Sequence, residues 1–338
     1  MGANDDHDDV TYIDDGDWLI YQGHDGPHDG LDRLMPPPPW RDFSRTPDQR
    51  TEHLATSYRP GKAEIQMVNA ALHLRRPLLV TGPPGTGKST LAASVAHELG
   101  IGPVLRWAIS SRSTLPDGLY QYDAIGRLHE VNMRRSGLRT QAGANPEDIG
   151  RFIRLGPLGT ALLPGDRPRV LLIDEIDKGD IDLPNDLLNV FEEGEFTIPE
   201  LQRLSTTEPV MVLPYDGENR VEVRAGKVRC SSFPVVVMTS NKEREFPPAF
   251  LRRCLQLDIK KPDVNQLRDI VLAHFQTIGD DDGVRIQQFW DSWNEGEPHA
   301  TDQLLNALAL VSGATWEPGP LRRAAADRVT RPLDQAAD

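Results

Sequence analysis

The central part of the chain alternates short apolar segments with longer segments whose apolar residues recur at helical spacing. Helical spacing occurs in AEIQMVNAALHL (63–74), STLAASVAHELG (89–100) and DLPNDLLNVFEEG (182–194). The short apolar segments are RPLLVTG (76–82), VLRWAIS (104–110), RVLLID (169–174), FPVVVMTS (233–240) and CLQLDI (254–259). Strands that are apolar throughout are typical of a parallel sheet with helices on both faces. The pattern therefore predicts an α/β domain.

The two ends of the chain follow different patterns. After residue 263 only helical spacing remains, in segments 264–278, 301–312 and 320–329, which predicts a small helical C-terminal domain. The first 39 residues are rich in Asp, Gly and Pro, and such a segment cannot bury enough apolar surface to offset its chain entropy. We expect a disordered tail over 1–45, an α/β domain over 46–260 and a helical domain over 261–338.

Charge and composition limit the class of protein. The chain has 338 residues, 38% of them hydrophobic, which is enough for a sizeable core. Ten Asp residues in 1–32 account for −10 of the net charge of −14, so the other residues together carry only −4. This balance argues against nucleic-acid backbone binding. His7, His24 and His28 lie beside Asp residues of the tail, where weak metal binding is an alternative to a solvated segment.

Cysteine content and hydropathy favour a cytoplasmic protein. Cys230 and Cys254 form no CxxC pair and are too few for a disulfide framework or a zinc site. No apolar segment approaches the roughly 18 residues of a membrane span, and the N-terminus is acidic where a signal peptide is basic. We expect no membrane association.

The strongest chemical pattern is a phosphate loop between the first strand and the next helix. The segment GPPGTGKST matches G-x-x-x-x-G-K-[ST], and its residues are Gly82, Pro83, Pro84, Gly85, Thr86, Gly87, Lys88, Ser89 and Thr90. Glycines let successive N–H groups face phosphates, helped by the helix N-terminus. Lys88 is expected to reach the β- and γ-phosphates of ATP, and the Ser89 hydroxyl to ligate Mg²⁺.

Two later strand ends supply further candidates for the same site. RVLLIDEID ends its strand at Asp174, which suits Mg²⁺, and Glu175 follows as a candidate base for an attacking water. Asp177 and Lys178 are interpreted as loop or interface residues. VVVMTSN ends at Asn241, whose amide is expected to hold that water, although an Asn capping the next helix is the alternative.

Together, the segments GPPGTGKS, LLIDEID, MTSN and FLRRC, followed by a helical domain, resemble AAA+ ATPases. The segments RPLLVTGPPGTGKS and LLNVFEEGEFTIPE more narrowly resemble the MoxR group. The resemblance covers about residues 60–330 and has no counterpart for the acidic tail. It implies a P-loop NTPase sheet with a helical lid, a homo-oligomeric ring that is usually hexameric, ATP and Mg²⁺ as ligands, and a protein client. A partner with a von Willebrand factor A domain is the first expectation.

The resemblance also implies two arginines that act on the nucleotide. The family's usual LDRF corresponds to LRRC here, which places a finger for the neighbouring subunit's ATP on Arg253. Arg252 stands where the family has an acidic residue, so the finger could instead be Arg252, with Arg253 in the other position. A lid arginine that acts in cis falls on Arg322 or Arg323. The family pattern has that arginine directly after proline, where this chain has Leu321, and we favour Arg322.

Two weaker features depend on the same resemblance. Glu192 and Glu193 match an acidic run that lies near the subunit interface in the family, and a solvated helix end is the alternative. The stretch 110–165 lies where MoxR-like proteins carry an insert. Tyr120 and Tyr122 are either substrate contacts of such an insert or core aromatics.

Two rival classes have to be weighed. TSNKER nearly matches the guanine-reading N-K-x-D of GTPases, but Arg244 replaces the essential carboxylate. An assembly scaffold gated by nucleotide, with slow hydrolysis, keeps the same fold. Because a binding module does not require Glu175, Asn241 and Arg253 together, the sequence favours an ATPase with real turnover.

Overall fold

The computed structural model describes most of the chain. The acidic residues 1–17, which include His7, lie outside the described part, and so does His24. The described residues are 18–23, 26–135, 149–204, 208–217, 219–275, 277–297, 299–311 and 319–332. The chain divides into two compact units. The larger unit is 51–261, and the smaller unit joins residues up to 50 with those from 262 onward.

The secondary structure of the described residues follows the predicted α/β order. The strands are β1 Leu78–Thr81, β2 Val104–Ala108, β3 Tyr120–Tyr122, β4 Ile153–Leu155, β5 Val170–Asp174, β6 Glu195–Thr197, β7 Val210–Val212, β8 Val221–Val223, β9 Lys227–Arg229, β10 Val235–Ser240 and β11 Leu255–Asp258. The helices are α1 Pro47–Ser57, α2 Lys62–Leu74, α3 Lys88–Leu99, α4 Leu115–Leu119, α5 Ala124–Arg135, α6 Pro157–Ala161, α7 Leu183–Glu193, α8 Pro199–Gln202, α9 Pro248–Leu251, α10 Val264–Phe275, α11 Asp280–Asn294, α12 Thr301–Val311 and α13 Pro320–Val329.

The larger unit is built on a five-stranded parallel sheet with the strand order β11-β1-β10-β5-β2. All five strands are those that the apolar segments predict. Alternate residues of β5 enter two different cores: Leu171 and Ile173 pack on one face of the sheet, Val170 and Leu172 on the other. The sheet is therefore covered on both faces, and the predicted fold class is confirmed.

Segment 110–165, together with the residues before β10, forms small antiparallel ladders that the sequence does not predict. β3 pairs with β4, β6 with β9 and β7 with β8. Tyr120 donates a hydrogen bond from its hydroxyl to Glu200 at 2.8 Å, and its ring stacks on Phe196. Burial, followed by the contact with Glu200, raises the pKa of Tyr120 to about 12. Tyr120 is thus partly buried and packs against the core, which favours the second interpretation of this residue.

The smaller unit contains α10 to α13 and a short piece of the N-terminal segment. Its core includes Trp293 and Phe289 of α11, a helix that the sequence analysis missed because Gly283 and several Asp residues obscure its periodicity. The Trp40 ring packs edge-on against Phe275, and its indole N–H donates to Asn306 Oδ1 at 3.1 Å. Part of the segment expected as a tail therefore packs on the C-terminal helices through the Trp40 side chain.

Two negative findings apply to the described residues alone. No helix among them is long and apolar enough to span a membrane. No group of three His, Cys, Asp or Glu side chains among them is arranged to hold a metal ion. Of the three histidines considered for weak metal binding, His28 is the one in the described part, and its Nδ1 atom accepts a hydrogen bond from the Gly30 N–H at 3.0 Å.

Candidate functional site

The phosphate loop connects the end of β1 to the start of α3. Gly82 has φ of 149° and runs so close to the strand-end backbone that a Cβ there would lie 2.3 Å from the carbonyl oxygen of Ile259. Only glycine fits this position. In the described part of the chain no side chain caps the N-terminus of α3, so its N–H groups remain available to an anion.

Lys88 lies buried within the loop. Its Nζ donates to the carbonyl oxygens of Gly82 at 2.9 Å and Pro83 at 2.7 Å. Burial lowers the pKa of Lys88 below its usual value. The carboxylates of Asp177, Asp174 and Glu175 oppose that shift. The ammonium group is thus held inside the loop, next to a concentration of negative charge.

Asp174, at the end of β5, joins three other elements through its carboxylate. Oδ1 accepts hydrogen bonds from the hydroxyls of Ser89 at 2.6 Å and Thr239 at 2.8 Å. Oδ2 accepts from Nη2 of Arg106 at 2.5 Å and from its Nε at 3.2 Å. Burial alone would raise the pKa of Asp174, but these hydrogen bonds outweigh it, so the pKa lies below its usual value. The carboxylate is therefore ionised at neutral pH.

Glu175 occupies a left-handed turn directly after β5. Its φ of 60° and ψ of 49° are unusual for a residue other than glycine, and such strain tends to cluster at functional sites. The backbone N–H donates to Thr239 Oγ1 at 2.9 Å, which fixes the turn against β10. The side chain is 42% exposed, and its Oε1 lies 2.8 Å from Lys178 Nζ. The strained turn therefore presents the carboxylate at the end of the sheet.

Asn241 follows β10, the strand next to β5. Its N–H donates to Asp177 Oδ2 at 3.0 Å. The next helix begins only at Pro248, with Pro247 at its N-cap, so Asn241 does not cap it. The alternative interpretation of this residue is therefore wrong. The structure brings Asn241, Glu175 and the phosphate loop to the same carboxyl edge of the sheet.

The predicted finger arginines lie between α9 and β11, where Arg252 and Arg253 are exposed between buried Phe250 and Cys254. Arg253 Nε lies 2.7 Å from Oε1 of Glu192 in α7. Two residues that the sequence analysis singled out separately thus form one ion pair. The trans role of Arg253 stays a prediction.

Cys254, the residue after the arginine pair, is 6% exposed. Burial raises the pKa of its thiol to about 12. Since the thiolate is the reactive form, this cysteine serves to anchor the start of β11 in the core and is not a candidate nucleophile.

The arginine that was favoured for the lid role is buried within the smaller unit. Arg322 is 1% exposed, its Nε donates to the carbonyl oxygen of Leu310, and its Nη2 lies 3.6 Å from Met35 Sδ. Arg323 is exposed. The choice between the two arginines stays a prediction, and Arg323 has the more accessible guanidinium group.

Sequence reasoning missed two residues that contact Asp174. Arg106 stands in the middle of an apolar edge strand, VLRWAIS, and a charged residue there was the available signal. Thr239 lies inside the apolar segment FPVVVMTS, and nothing in the sequence separates a structural threonine there from one that bonds to a carboxylate. Both contacts depend on the order of strands in the sheet, which one sequence does not display.

A phosphate loop whose serine is bonded to a strand-end carboxylate defines a nucleotide-binding site of the P-loop class. The model of the AAA domain family, dynein-related subfamily, matches residues 77–254, more than half of the chain. The chain belongs to this family, and it therefore contains an AAA ATPase domain, which supports nucleotide-driven ATPase activity.

Other comparisons are more distant. Two solved structures of NtrX from Brucella abortus, one in complex with ADP and one with ATP, are each 14% identical to this chain, with a TM-score of 0.40. The similarity covers 84% and 82% of this chain and 61% and 59% of those chains, so the chain spans less than two thirds of their length. The comparison with curated proteins found no match.

Proposed function

We propose that the chain is an ATP-hydrolysing ring ATPase of the MoxR type that remodels or activates a partner protein. One observation carries the ATPase part of the proposal. The serine of the phosphate loop, Ser89, donates to Asp174 at 2.6 Å, and Glu175 follows directly in a strained turn that presents its carboxylate at the sheet edge. A binding cradle and a candidate base therefore belong to one hydrogen-bonded unit.

The loop residues fit an ATP phosphate chain and its metal. Lys88 and the uncapped N-terminus of α3 supply positive charge and N–H donors for phosphate oxygens. The Ser89 hydroxyl and the Asp174 carboxylate are hard oxygen ligands of the kind that Mg²⁺ binds. When bound there, Mg²⁺ would neutralise negative charge on the phosphates.

The remaining residues act on the attacking water and on the developing charge. Glu175 is the general base that takes a proton from the water, and Asn241 orients that water from the adjacent strand end. Arg253 of a neighbouring subunit places a fixed cation against the γ-phosphate. Arg252 is the alternative for this finger. In the lid, Arg322 or Arg323 contacts the nucleotide of its own subunit.

The assembly and its partners follow from the resemblance to the MoxR group. We propose a homohexameric cytoplasmic ring and a protein client, with a von Willebrand factor A domain as the first partner class to test. The arginine pair is exposed on the surface of its domain, as an intersubunit contact requires. Pull-down with a hydrolysis-deficient variant, compared with the wild type, tests the partner class.

Steady-state ATPase activity, measured against protein concentration alongside particle mass, tests the ring ATPase. We expect activity per subunit to rise as assembly proceeds, because each site needs an arginine from a neighbour. Negligible turnover in a fully assembled ring would instead favour the nucleotide-gated scaffold. Equal activity per subunit in monomer and ring would contradict the shared site.

Arg106 gives a prediction about the metal. Its guanidinium group occupies Oδ2 of Asp174, so it competes with Mg²⁺ for that carboxylate. Replacing Arg106 by alanine is expected to lower the Mg²⁺ concentration that gives half of the metal-dependent nucleotide binding. Because the arginine side chain is 64% exposed, we expect a modest change of about two- to fivefold. Binding of a fluorescent ATP analogue, titrated with Mg²⁺, measures it.

Arg169→Ala is the matched control for this prediction. It removes an arginine that pairs with Asp216 at 3.1 Å, and neither residue contacts the phosphate loop or Asp174. The control should keep the wild-type Mg²⁺ dependence. An Arg106→Ala protein that needs as much Mg²⁺ as the wild type, or more, would show that Arg106 does not compete with the metal.

A further inference from the structure

Asp177 is a buried carboxylate that the family resemblance does not assign to the site. It lies in the short 3-10 turn Ile176–Lys178, two residues after Glu175, and is 5% exposed. Its Oδ2 accepts three hydrogen bonds from the last residue of β10 and the segment that follows it. The donors are the hydroxyl of Ser240 at 2.9 Å, the N–H of Asn241 at 3.0 Å and the N–H of Glu243 at 3.1 Å.

These three bonds extend the connection between β5 and β10 beyond the sheet. The register of the two strands pairs residues only as far as Met238 with Ile173. Past that point, the described backbone hydrogen bonds between strands do not tie the turn of Glu175 to the loop of Asn241. Side chains make the connection instead, through Thr239 at the strand end and through Asp177 farther out.

The loop that Asp177 holds is itself strained. Lys242 has φ of 64°, a left-handed conformation that a residue with a Cβ rarely adopts. Its N–H donates to Ser240 Oγ at 2.9 Å, and the same hydroxyl donates to Asp177. A strained conformation persists only where its surroundings fix it. The carboxylate of Asp177 fixes the backbone of this loop, and the ion pair of Lys242 Nζ with Asp258 Oδ1 at 2.6 Å holds the Lys242 side chain.

The burial of Asp177 indicates that its carboxylate is needed as a hydrogen-bond acceptor and not merely for packing. A buried carboxylate is costly unless hydrogen bonds compensate it. In this case all three donors converge on Oδ2, whereas Oδ1 has no hydrogen-bond partner in the described part of the chain. An apolar residue would avoid the cost but would leave two backbone N–H groups of the Asn241 loop without their acceptor.

We propose that Asp177 is a positioning residue for ATP hydrolysis, which holds the loop of Asn241 in a fixed position relative to the turn of Glu175. The inference rests on the proposed function, because Glu175 and Asn241 are the groups proposed to handle the attacking water. Its negative charge also favours the ammonium form of Lys88, the group proposed to bind phosphate. Asp177 itself touches no reacting atom.

The test compares Asp177→Ala with Asp177→Asn in the full-length protein. Alanine removes the acceptor. We then expect kcat per nucleotide-binding site to fall on the order of 10- to 100-fold, because small displacements of reacting groups lower the rate by such factors. The dissociation constant for ATP should stay within about threefold of the wild-type value, since the phosphate loop keeps its own contacts. In the asparagine variant the amide oxygen can accept the same three bonds, so most of the lost turnover should return.

Asp182→Ala is the matched control, because it removes an exposed aspartate five residues away that makes no side-chain cap bond. It should keep wild-type turnover. If Asp177→Ala does not fold, Ser240→Ala removes one of the three donors and should show a smaller loss of kcat, of about three- to tenfold, at unchanged ATP affinity.

Amide hydrogen exchange supplies a readout that is independent of catalysis. In Asp177→Ala, without added nucleotide, the amides of Asn241 and Glu243 should exchange at least about tenfold faster. Unchanged exchange at these amides would overturn the proposal. It is equally overturned by unaltered kcat in an active protein, or by loss of ATP binding in parallel with turnover. A wild-type ring without any turnover would refute the proposed function itself. That outcome is distinct from failure of the present inference, which is judged by comparing the variants with an active wild type.

Discussion

Replacing Arg253 by alanine is expected to lower ATP turnover by about 10³- to 10⁵-fold, the range for arginine fingers. The guanidinium group supplies a fixed cation where negative charge spreads over the γ-phosphate in the transition state. ATP affinity should change by no more than about threefold, because the phosphate loop of the same subunit is untouched. Single-turnover hydrolysis and nucleotide binding, measured on the same assembled samples, separate the two effects.

Arg252→Ala is the control, since it removes the adjacent exposed arginine from the same segment. A large loss in Arg252→Ala with little change in Arg253→Ala would show that the two roles are exchanged. Mixed assemblies test the trans assignment directly. Subunits with Arg253→Ala keep Glu175, and subunits with Glu175→Gln keep Arg253, so a mixed ring forms some complete sites. Mixed rings that never exceed the activity of either variant alone would refute the trans assignment.

Glu175→Gln should reduce turnover by about 10²- to 10⁴-fold, the usual contribution of a general base. Glutamine keeps the shape of the side chain but cannot accept a proton from the attacking water. Nucleotide binding should persist, because Lys88, Ser89 and Asp174 are unchanged, and unhydrolysed ATP should accumulate on the protein. Quantifying bound ATP and ADP after gel filtration, together with steady-state rates, gives both quantities.

Glu98→Gln makes the same chemical change at an exposed site near the end of α3 and should behave as the wild type. Substantial turnover in Glu175→Gln would mean that another group activates the water. Loss of ATP binding in that variant would instead assign Glu175 a structural role, in the strained turn after β5.

The sequence predicted those parts of the site that local patterns encode. Strands that are buried on both faces are apolar throughout, so β1, β5 and β10 were evident, and the phosphate loop and Asp174 lie directly at strand ends. Gly100 ends α3 with φ of 59°, as its position after the helical pattern predicted. For these features, the residues that act together are also neighbours in the sequence.

What the sequence did not predict depends on contacts between distant segments. Arg106 reaches Asp174 because β2 is the neighbour of β5, and Asp177 reaches Asn241 because β10 is its other neighbour. The packing of Trp40 on α10 joins residues more than 230 positions apart. A three-residue antiparallel strand such as β6 contains too few alternations to stand out from a loop.

The pairing of β11 with β1 gives the proposed ring a mechanical link between consecutive nucleotide sites. The arginine pair immediately precedes β11, and each residue of β11 is in register with one of β1, the strand that ends at the subunit's own phosphate loop. Buried Cys254 fixes the base of this segment. If ATP binding shifts β1, the paired β11 would carry that shift to the arginine pair, which we propose to serve the next subunit. ATP hydrolysis at successive sites is thus expected to be cooperative around the ring and not independent.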